Sequence, residues 1–226
     1  MLSRVLEPEV MDTPQEALDY DSMDHTAVNA AFVSDMLAVF PEAVDAEEEH
    51  LAVLDIGTGT AQIPVELCRH VPSFRVTAID LAVAMLNLGR NNVEVAGLRE
   101  HIRLDRVDAR QLPYADGEFA VVMSNSIVHH IPDPREVLVE AVRVLRDGGL
   151  IFVRDLLRPV DDAEVEHLVA TYAAGANDHQ RQLFNQSLRA ALDLDEARVL
   201  AASVGLPPEA VSHTSDRHWT LAARKA

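Results

Sequence analysis

Two glycines and an aspartate at positions 55–59 are the residues of this sequence whose types and spacing most directly indicate ligand chemistry. Leu51 to Ile56 is an apolar run typical of a short buried parallel strand, and a helical pattern follows from Thr60 to His70. Gly57 and Gly59 allow a tight turn between these elements and let the backbone approach a ligand with no Cβ in the way. Because the helix start adds unpaired N–H groups, the stretch predicts a small-molecule binding loop.

The residues of this loop also distinguish between two kinds of adenosine-containing ligand, one with a diphosphate and one without. A dinucleotide fingerprint needs a third glycine three positions after Gly59, and that position is Gln62. Asp55 suits a ligand that carries an ammonium group and a sulfonium rather than a diphosphate. The loop therefore favours S-adenosylmethionine (SAM), and a purely structural tight turn is the alternative interpretation.

Acidic residues follow two further strand patterns and fit the same ligand. The strand pattern at 74–79 ends in Asp80, about twenty positions after the glycines, where a carboxylate can accept hydrogen bonds from both ribose hydroxyls. A third strand pattern at 101–106 is followed by Asp108, which can meet the adenine amino group. The spacing therefore predicts one adenosine site built from three strand ends.

From about residue 50 to residue 155 the sequence resembles the class I SAM-dependent methyltransferases, closest to the small-molecule branch called methyltransferase type 11. The matching motifs are Asp55-Ile-Gly-Thr-Gly59, Ala78-Ile-Asp80-Leu-Ala82 with Met85, Asp108-Ala-Arg-Gln-Leu-Pro113, Asp116-Gly-Glu-Phe119, His129-His-Ile-Pro-Asp133-Pro134 and Arg143-Val-Leu-Arg-Asp-Gly-Gly149. Two positions depart from the family pattern: Thr58 stands for the usual Cys or Ser, and Asp147 for the usual Pro.

The resemblance implies roles for several of these residues. Gly57, Thr58 and Gly59 would line the methionine part of SAM, and Asp80 would hold the ribose. The remaining cofactor contacts that it implies are Leu81 and Met85 flanking the adenine, Asp108 and Ala109 at the adenine edge, and Asn125 at the end of the fourth strand.

The alternation of strand and helix patterns from 51 to 155 predicts an α/β fold with a doubly wound, Rossmann-like sheet. The expected helices of this core are at 60–70, 82–96 and 134–146, and its fourth and fifth strands at 119–124 and 149–154. After strand five come helical patterns at 161–175, 179–192 and 195–203, then two short strands near 209–214 and 217–222. By resemblance, this last pair forms the C-terminal antiparallel hairpin of a seven-stranded sheet.

A single methyltransferase domain, 1–226, is expected to contain four parts. They are an N-terminal cap (1–45), a SAM-binding core (51–155), a helical insertion or lid (156–206) and the C-terminal hairpin (207–226). His25 to Phe40 has apolar residues at helical spacing and predicts a helix in the cap. Residues 1–20 are predicted to be irregular, because Pro8 and Pro14 should break any helix there.

Two histidines that follow the fourth strand are candidates for a catalytic base. Methyl transfer from a sulfonium is an in-line displacement, in which the enzyme aligns the acceptor and excludes water. An acceptor that must also lose a proton needs a base, and a neutral histidine serves at pH 7. His129 is the first choice and His130 the second. A packing and hydrogen-bonding role for the pair in its loop is the alternative.

Candidate substrate contacts come from the strand ends and from both flanking segments, since ligands bind outside the carboxyl ends of an open parallel sheet. Asp155 and Arg158 follow strand five and would either orient a charged substrate as a pair or form a local ion pair. The cap contributes Tyr20, His25 and Asn29, and the insertion contributes Tyr172 and His179.

Composition narrows the function further. The net charge of −18, from 19 basic and 37 acidic residues, argues against a nucleic-acid partner. No stretch approaches 18 apolar residues, so no membrane span is expected. One cysteine and the lack of a basic-then-apolar start predict a cytoplasmic location. The histidines near the C-terminus match no strong ligand spacing, so no metal site is predicted.

The sequence therefore predicts a SAM-dependent methyltransferase that acts on a small-molecule acceptor. The accepting atom (O, N, C or S) and the oligomeric state stay open. A non-catalytic SAM-binding or regulatory protein is the alternative. An NAD-dependent oxidoreductase is disfavoured by Gln62.

Overall fold

Seven strands form one mixed sheet in the computed structural model, which describes residues 2–7, 13–41 and 50–226. The strands are β1 (Leu51–Ile56), β2 (Phe74–Asp80), β3 (Ile102–Arg106), β4 (Phe119–Asn125), β5 (Leu145–Leu156), β6 (Val211–Ser215) and β7 (His218–Arg224). Their order across the sheet is β3-β2-β1-β4-β5-β7-β6. β1 to β5 pair in parallel, whereas β7 is antiparallel to both β5 and β6. This confirms the predicted doubly wound, Rossmann-like α/β fold with its C-terminal antiparallel hairpin.

Eight helices accompany these strands in the described ranges. They are α1 (Pro14–Asp21), α2 (Thr26–Val39), α3 (Gln62–His70), α4 (Val83–Val95), α5 (Pro134–Val144), α6 (Asp162–Tyr172), α7 (Asp178–Ala190) and α8 (Leu194–Ser203). The first two form the predicted N-terminal helical cap, and the last three form the predicted insertion after strand five. Among these helices, none is long and apolar enough to cross a membrane.

The two faces of the sheet bury alternate residues of the same strand, because successive side chains of a strand point to opposite faces. Leu54 and Ile56 of β1 belong to the apolar cluster that contains α5 and α8. Val53 belongs instead to the cluster that contains Phe32 of α2 and Leu67 of α3. With both faces covered, the carboxyl ends of the parallel strands are where polar residues can collect.

Most element boundaries lie within a few residues of the prediction, and the start of β5 and the presence of α1 are the main differences. β5 begins at Leu145 rather than 149, because Leu145 pairs with Phe119 of β4 across a register shift. The prediction that Pro14 breaks any helix is wrong, since α1 begins at that residue. Proline is tolerated at the first helical position, where its missing N–H would have no partner within the helix. Pro8 and positions 42–45 of the predicted cap lie outside the described residues.

Helix α1 lies over the carboxyl end of the sheet and is attached there by side-chain hydrogen bonds. Asp21 Oδ1 accepts the Gln62 Nε2–H at 3.0 Å and the Asn92 Nδ2–H at 3.0 Å. One carboxylate oxygen therefore joins α1 to α3 and to α4. Elsewhere on α1, Oδ2 of Asp19 lies 3.2 Å from Nδ1 of His179 in α7. The cap and the insertion meet at this point.

We expect Asp21→Ala to loosen α1 without unfolding the sheet. The variant loses two hydrogen bonds to a charged acceptor, and about 1.5 kcal/mol of local stability corresponds to roughly tenfold faster amide exchange in α1. Hydrogen-exchange mass spectrometry measures this rate. Asp195→Ala removes a carboxylate whose side chain is 91% exposed, and it should leave α1 exchange unchanged. Equal exchange in wild type and Asp21→Ala would show that this carboxylate does not hold the cap.

Candidate active site

A cleft opens at the carboxyl ends of β1, β2 and β4, with a small side pocket at its inner end. Every residue that the sequence analysis assigns to the cofactor lines one of these two spaces. The cleft residues among them are Gly57, Gly59, Asp80, Leu81, Met85, Asp108, Ala109 and Asn125. The side-pocket residues are Asp55, Gly57, Thr58 and Asn125. The structure therefore brings together residues that are distant in the chain.

The loop that contains Gly57 and Gly59 packs closely against the residues that follow the neighbouring strands. Gly57 has a φ of 73°, and a Cβ added there would lie 2.1 Å from Cγ2 of Ile127. The N–H groups of Gly57 and Thr58 both donate to the carbonyl oxygen of Ile79 at 2.9 Å. Only glycine satisfies both the left-handed backbone and this contact, so the turn cannot take another residue without moving the loop after β4.

Asp80 ties this loop to the end of β2. Its Oδ2 accepts the Gly59 N–H at 2.8 Å, and its Oδ1 accepts the Ala82 N–H at 2.8 Å. An ionised carboxylate has about four lone-pair positions, so it can accept several hydrogen bonds at once. The carboxylate is thus held in a fixed orientation at the wall of the cleft.

Asp55 is a buried acid at the bottom of the side pocket. Only 3% of the residue is exposed, and burial raises the pKa of its carboxyl group to about 7. Two other buried atoms of this pocket, Oδ1 of Asn125 and Oγ1 of Thr60, have no hydrogen-bond partner among the described residues. Buried polar groups are ordinarily hydrogen-bonded. This corner therefore has the features of a place for a polar, cationic part of a ligand.

The cap closes the cleft with Tyr20 of α1. Its Cε1 would lie 3.8 Å from a Cβ built on Gly59. Burial and the carboxylates of Asp80 and Asp55 raise the pKa of its hydroxyl to about 12. Tyr20 lines both the cleft and the side pocket, whereas Asn29 lines the side pocket alone. His25 lies behind them, its ring 4.6 Å from that of Tyr20.

The two candidate bases occupy different environments. His130 lines the cleft. His129 is 3% exposed, and its Nδ1 lies 2.5 Å from Oδ1 of Asp155. Burial alone would lower the pKa of His129, but the facing carboxylates of Asp155 and Glu7 raise it above the usual value. The first-choice base is therefore enclosed, and the second choice faces the ligand space.

The predicted pairing of Asp155 with Arg158 is wrong. Asp155 accepts the Val128 N–H at 2.6 Å and contacts His129. Arg158 is buried and pairs with Asp193 and Glu196, both at 2.9 Å. Each charge is neutralised locally, so neither side chain is directed at the cleft as a substrate-orienting pair.

The two candidate residues of the insertion are also engaged elsewhere. The Tyr172 hydroxyl donates to Asp216 Oδ2 at 2.5 Å, and the Arg217 guanidinium lies 3.3 Å from the centre of the Tyr172 ring. His179 contacts Asp19 of α1 rather than the cleft. In the described part of the chain these residues connect surface elements.

Sequence reasoning missed the segment at 2–7. The Arg4 Nε–H donates to the Ala190 carbonyl at 2.7 Å and an Nη2–H to the Ile131 carbonyl at 3.0 Å. The Glu7 carboxylate thereby reaches both histidines, with Oε1 3.5 Å from Nε2 of His129 and 3.1 Å from Nδ1 of His130. No periodicity or local motif marks these contacts, which join opposite ends of the chain.

Comparison with known sequences identifies similar proteins. Residues 54–153 match the family model described as "Methyltransferase domain". A demethylmenaquinone methyltransferase from Porphyromonas gingivalis is 35% identical over 109 residues, which cover 48% of this chain and 44% of that protein. A malonyl-(acyl-carrier protein) O-methyltransferase from Geobacter sulfurreducens is 33% identical over 186 residues, covering 78% of this chain and 64% of that protein. The chain thus spans less than two thirds of either relative.

Comparison with solved structures shows the same fold. The plantazolicin methyltransferase BpumL in complex with SAH has a TM-score of 0.71 at 13% identity, with 94% of this chain and 91% of that chain covered. At this identity the similarity concerns the fold alone.

We expect Asp55→Asn to stabilise the ligand-free protein at neutral and alkaline pH. The folded-state pKa of about 7 lies above the unfolded value near 3.8, so stability from this group is complete below about pH 4 and is lost as the pH rises to about 7. The stability difference between Asp55→Asn and wild type should therefore widen by about 3 kcal/mol from pH 5 to pH 8.

Urea unfolding at the two pH values, with no ligand added, measures this difference. Asp147→Asn is the matched control, since its side chain is 85% exposed, and its difference from wild type should not change with pH. A pH-independent difference for Asp55→Asn would contradict the raised pKa.

Proposed function

We propose that the chain is a class I SAM-dependent methyltransferase, which transfers the methyl group of SAM to a small-molecule acceptor. One observation carries this proposal. The loop at 55–59 and Asp80 meet around one cleft at the carboxyl ends of β1 and β2, where Asp80 accepts the Gly59 N–H at 2.8 Å. A glycine turn and a strand-end carboxylate thus line the cleft, and a buried acid lines the side pocket that adjoins it.

We assign the side pocket to the amino-acid part of SAM. The Asp55 carboxylate is the natural partner of the ammonium group, and Oδ1 of Asn125 and Oγ1 of Thr60 add two acceptors with unused capacity. Binding a cation there favours the ionised form of Asp55, whose pKa is raised to about 7 in the ligand-free protein. The energetic cost of burying this acid is thus relieved by the ligand.

The rest of the cofactor follows the wall of the cleft. Asp80 receives the ribose hydroxyls, since its carboxylate lines the cleft at the end of β2 and is oriented there by the Gly59 and Ala82 N–H groups. Leu81 and Met85 flank the adenine, and Asp108 and Ala109 lie at its edge. The Arg110 Nη2–H donates to Asp108 Oδ2 at 2.8 Å and so helps to fix that carboxylate.

The acceptor lies between the cap and the loop after β4. Tyr20 covers the cleft from α1, and His130 lines it from the opposite side. We therefore place His130 in contact with the acceptor, whereas His129 is enclosed by Asp155 and Glu7. A closed cover excludes water from the sulfonium, as an in-line displacement requires. The cover and the net charge of −18 both favour a small acceptor over a nucleic acid.

We expect Asp80→Ala to weaken SAM binding by about 30- to 1000-fold, because it removes charge-assisted hydrogen bonds worth roughly 2–4 kcal/mol. Isothermal titration calorimetry with SAM measures the change, and thermal unfolding verifies that the variant is folded. Asp147→Ala, at an exposed site, should bind SAM as wild type does. Unchanged affinity in Asp80→Ala would remove Asp80 from the ribose role.

Turnover of methyl-labelled SAM in the presence of a pool of small metabolites tests the activity itself. We expect label in a metabolite product and accumulation of S-adenosylhomocysteine, and both should form at least about tenfold more slowly with Asp80→Ala at a SAM concentration near the wild-type Kd. Tight SAM binding with no transfer to any metabolite fraction would instead indicate a non-catalytic SAM-binding protein.

We expect His130→Ala to lower kcat/KM for the acceptor by about 10- to 100-fold, because the acceptor loses a contact that aligns it with the methyl group. The Kd for SAM should stay within about twofold of wild type, since the cofactor contacts are intact. His70→Ala, with a side chain 53% exposed on α3, is the control. Equal loss of SAM binding and transfer would place His130 at the cofactor instead.

A further inference from the structure

Glu7, His129 and His130 converge although they come from opposite parts of the chain. The Glu7 Oε1 atom, a ring nitrogen of His129 and a ring nitrogen of His130 all lie within 4.8 Å of one another. The side chains are 6%, 3% and 18% exposed, respectively. Two imidazoles and one carboxylate so enclosed form a donor set that suits a divalent cation.

The Oε1 atom of Glu7, at the centre of this group, is poorly satisfied as a hydrogen-bond acceptor. It is buried and makes no hydrogen bond to any described residue, although it lies close to both rings. A buried carboxylate oxygen whose contacts do not have hydrogen-bond geometry is uncommon, because burial removes the water that would otherwise solvate it. A cation placed between the three groups would satisfy this atom.

The separations of the atoms agree with a shared coordination shell. Oε1 of Glu7 lies 3.5 Å from Nε2 of His129 and 3.1 Å from Nδ1 of His130. Two ligands bound at about 2.0–2.1 Å in tetrahedral geometry are roughly 3.3 Å apart. The two distances lie on either side of that value, and the ring nitrogens of His129 and His130 lie within 4.8 Å of one another.

Asp155 supplies the supporting contact that metal-binding histidines usually have. Its Oδ1 lies 2.5 Å from Nδ1 of His129, which leaves Nε2 of the same ring directed at Glu7. The carboxylate itself is fixed by the backbone N–H groups of Val128 and Leu156, both at 2.6 Å. A carboxylate behind a histidine orients the ring and raises its basicity as a ligand.

The N-terminal strap, residues 2–7, holds the third donor in place. The Arg4 side chain donates to the Ala190 and Ile131 carbonyls, and the Val5 N–H donates to the Arg189 carbonyl at 3.0 Å. These bonds attach the strap to α7 and to the loop after β4. Glu7 is therefore a positioned donor rather than a side chain on a free end.

We propose that Glu7, His129 and His130 form a binding site for a single divalent cation of the zinc, cobalt or nickel type. Three protein ligands leave a further coordination position, as in open metal sites. His130 also lines the cleft, so the cation would border the space assigned to the acceptor. The site does not depend on the proposed methyl transfer, and it revises the expectation of no metal, which considered only local spacing.

The test uses the untagged full-length chain, treated with EDTA and dialysed, in the absence of SAM. Equilibrium dialysis with ZnCl2 should show one equivalent bound, and CoCl2 should give the strong visible absorption of a low-coordinate cobalt site. Glu7→Gln and His129→Gln should each weaken Zn²⁺ binding by at least 100-fold. Asp155→Asn, which keeps all three ligands, should weaken it by about 10- to 100-fold.

The control is His70→Ala, which removes a histidine that also lies near a carboxylate, 3.6 Å from Glu66, but at the surface. It should bind Zn²⁺ and Co²⁺ as wild type does, and thermal unfolding verifies the fold of every variant. The proposal is overturned if the wild-type protein binds no stoichiometric Zn²⁺, or if Glu7→Gln and His129→Gln bind it as tightly as wild type. Neither result would bear on SAM binding or methyl transfer, which separate experiments address.

Discussion

The hydrogen bond from the Gly59 N–H to the Asp80 carboxylate joins the two strand ends on which the site is built. β1 and β2 run in parallel and in register, so their last residues reach the same edge of the sheet. The loop after β1 must turn back over that edge, and the Asp80 carboxylate fixes its far side at 2.8 Å. Its near side is fixed by the close contact of Gly57 with Ile127, which belongs to the loop after β4. Three strand ends are thus held together by one turn.

This arrangement was predictable because it is local. An apolar run, a glycine turn and an acid at the end of the next strand occur within about thirty residues, and each has a physical signature in the order of residue types. The core helices were predictable for the same reason, whereas the antiparallel pairing of the last two strands was implied by the family resemblance. The strap was not, because Glu7 is held near His129 by hydrogen bonds from the Arg4 side chain and the Val5 N–H to carbonyl groups of the folded chain. These bonds depend on folded partners and leave no periodic pattern.

The histidine pair shows a second limit of sequence reasoning. The strand-end rule correctly placed His129 and His130 near the ligand edge, but it says nothing of side-chain direction. Both residues lie in a short 3₁₀ turn, Val128–His130, where successive side chains point about 120° apart. One ring therefore enters the interior towards Asp155 while its neighbour lines the cleft. Pro14 is a similar case, since its effect depends on whether it lies inside a helix or at its first residue.

The groups that we assign to the ligand are those that the fold alone leaves least satisfied. Asp55 is an acid without a cation, and Oδ1 of Asn125 is a buried acceptor without a donor in the described structure. Such sites are tolerated when the surroundings over-determine them, here through the paired strands and the cover of α1, which Asp21 attaches to α3 and α4. Because a cationic cofactor would satisfy the same atoms that the cap encloses, occupancy of the pocket and closure of α1 should favour each other. In this chain, the unsatisfied groups that make the empty pocket energetically costly are therefore the same groups that would contribute free energy to cofactor binding.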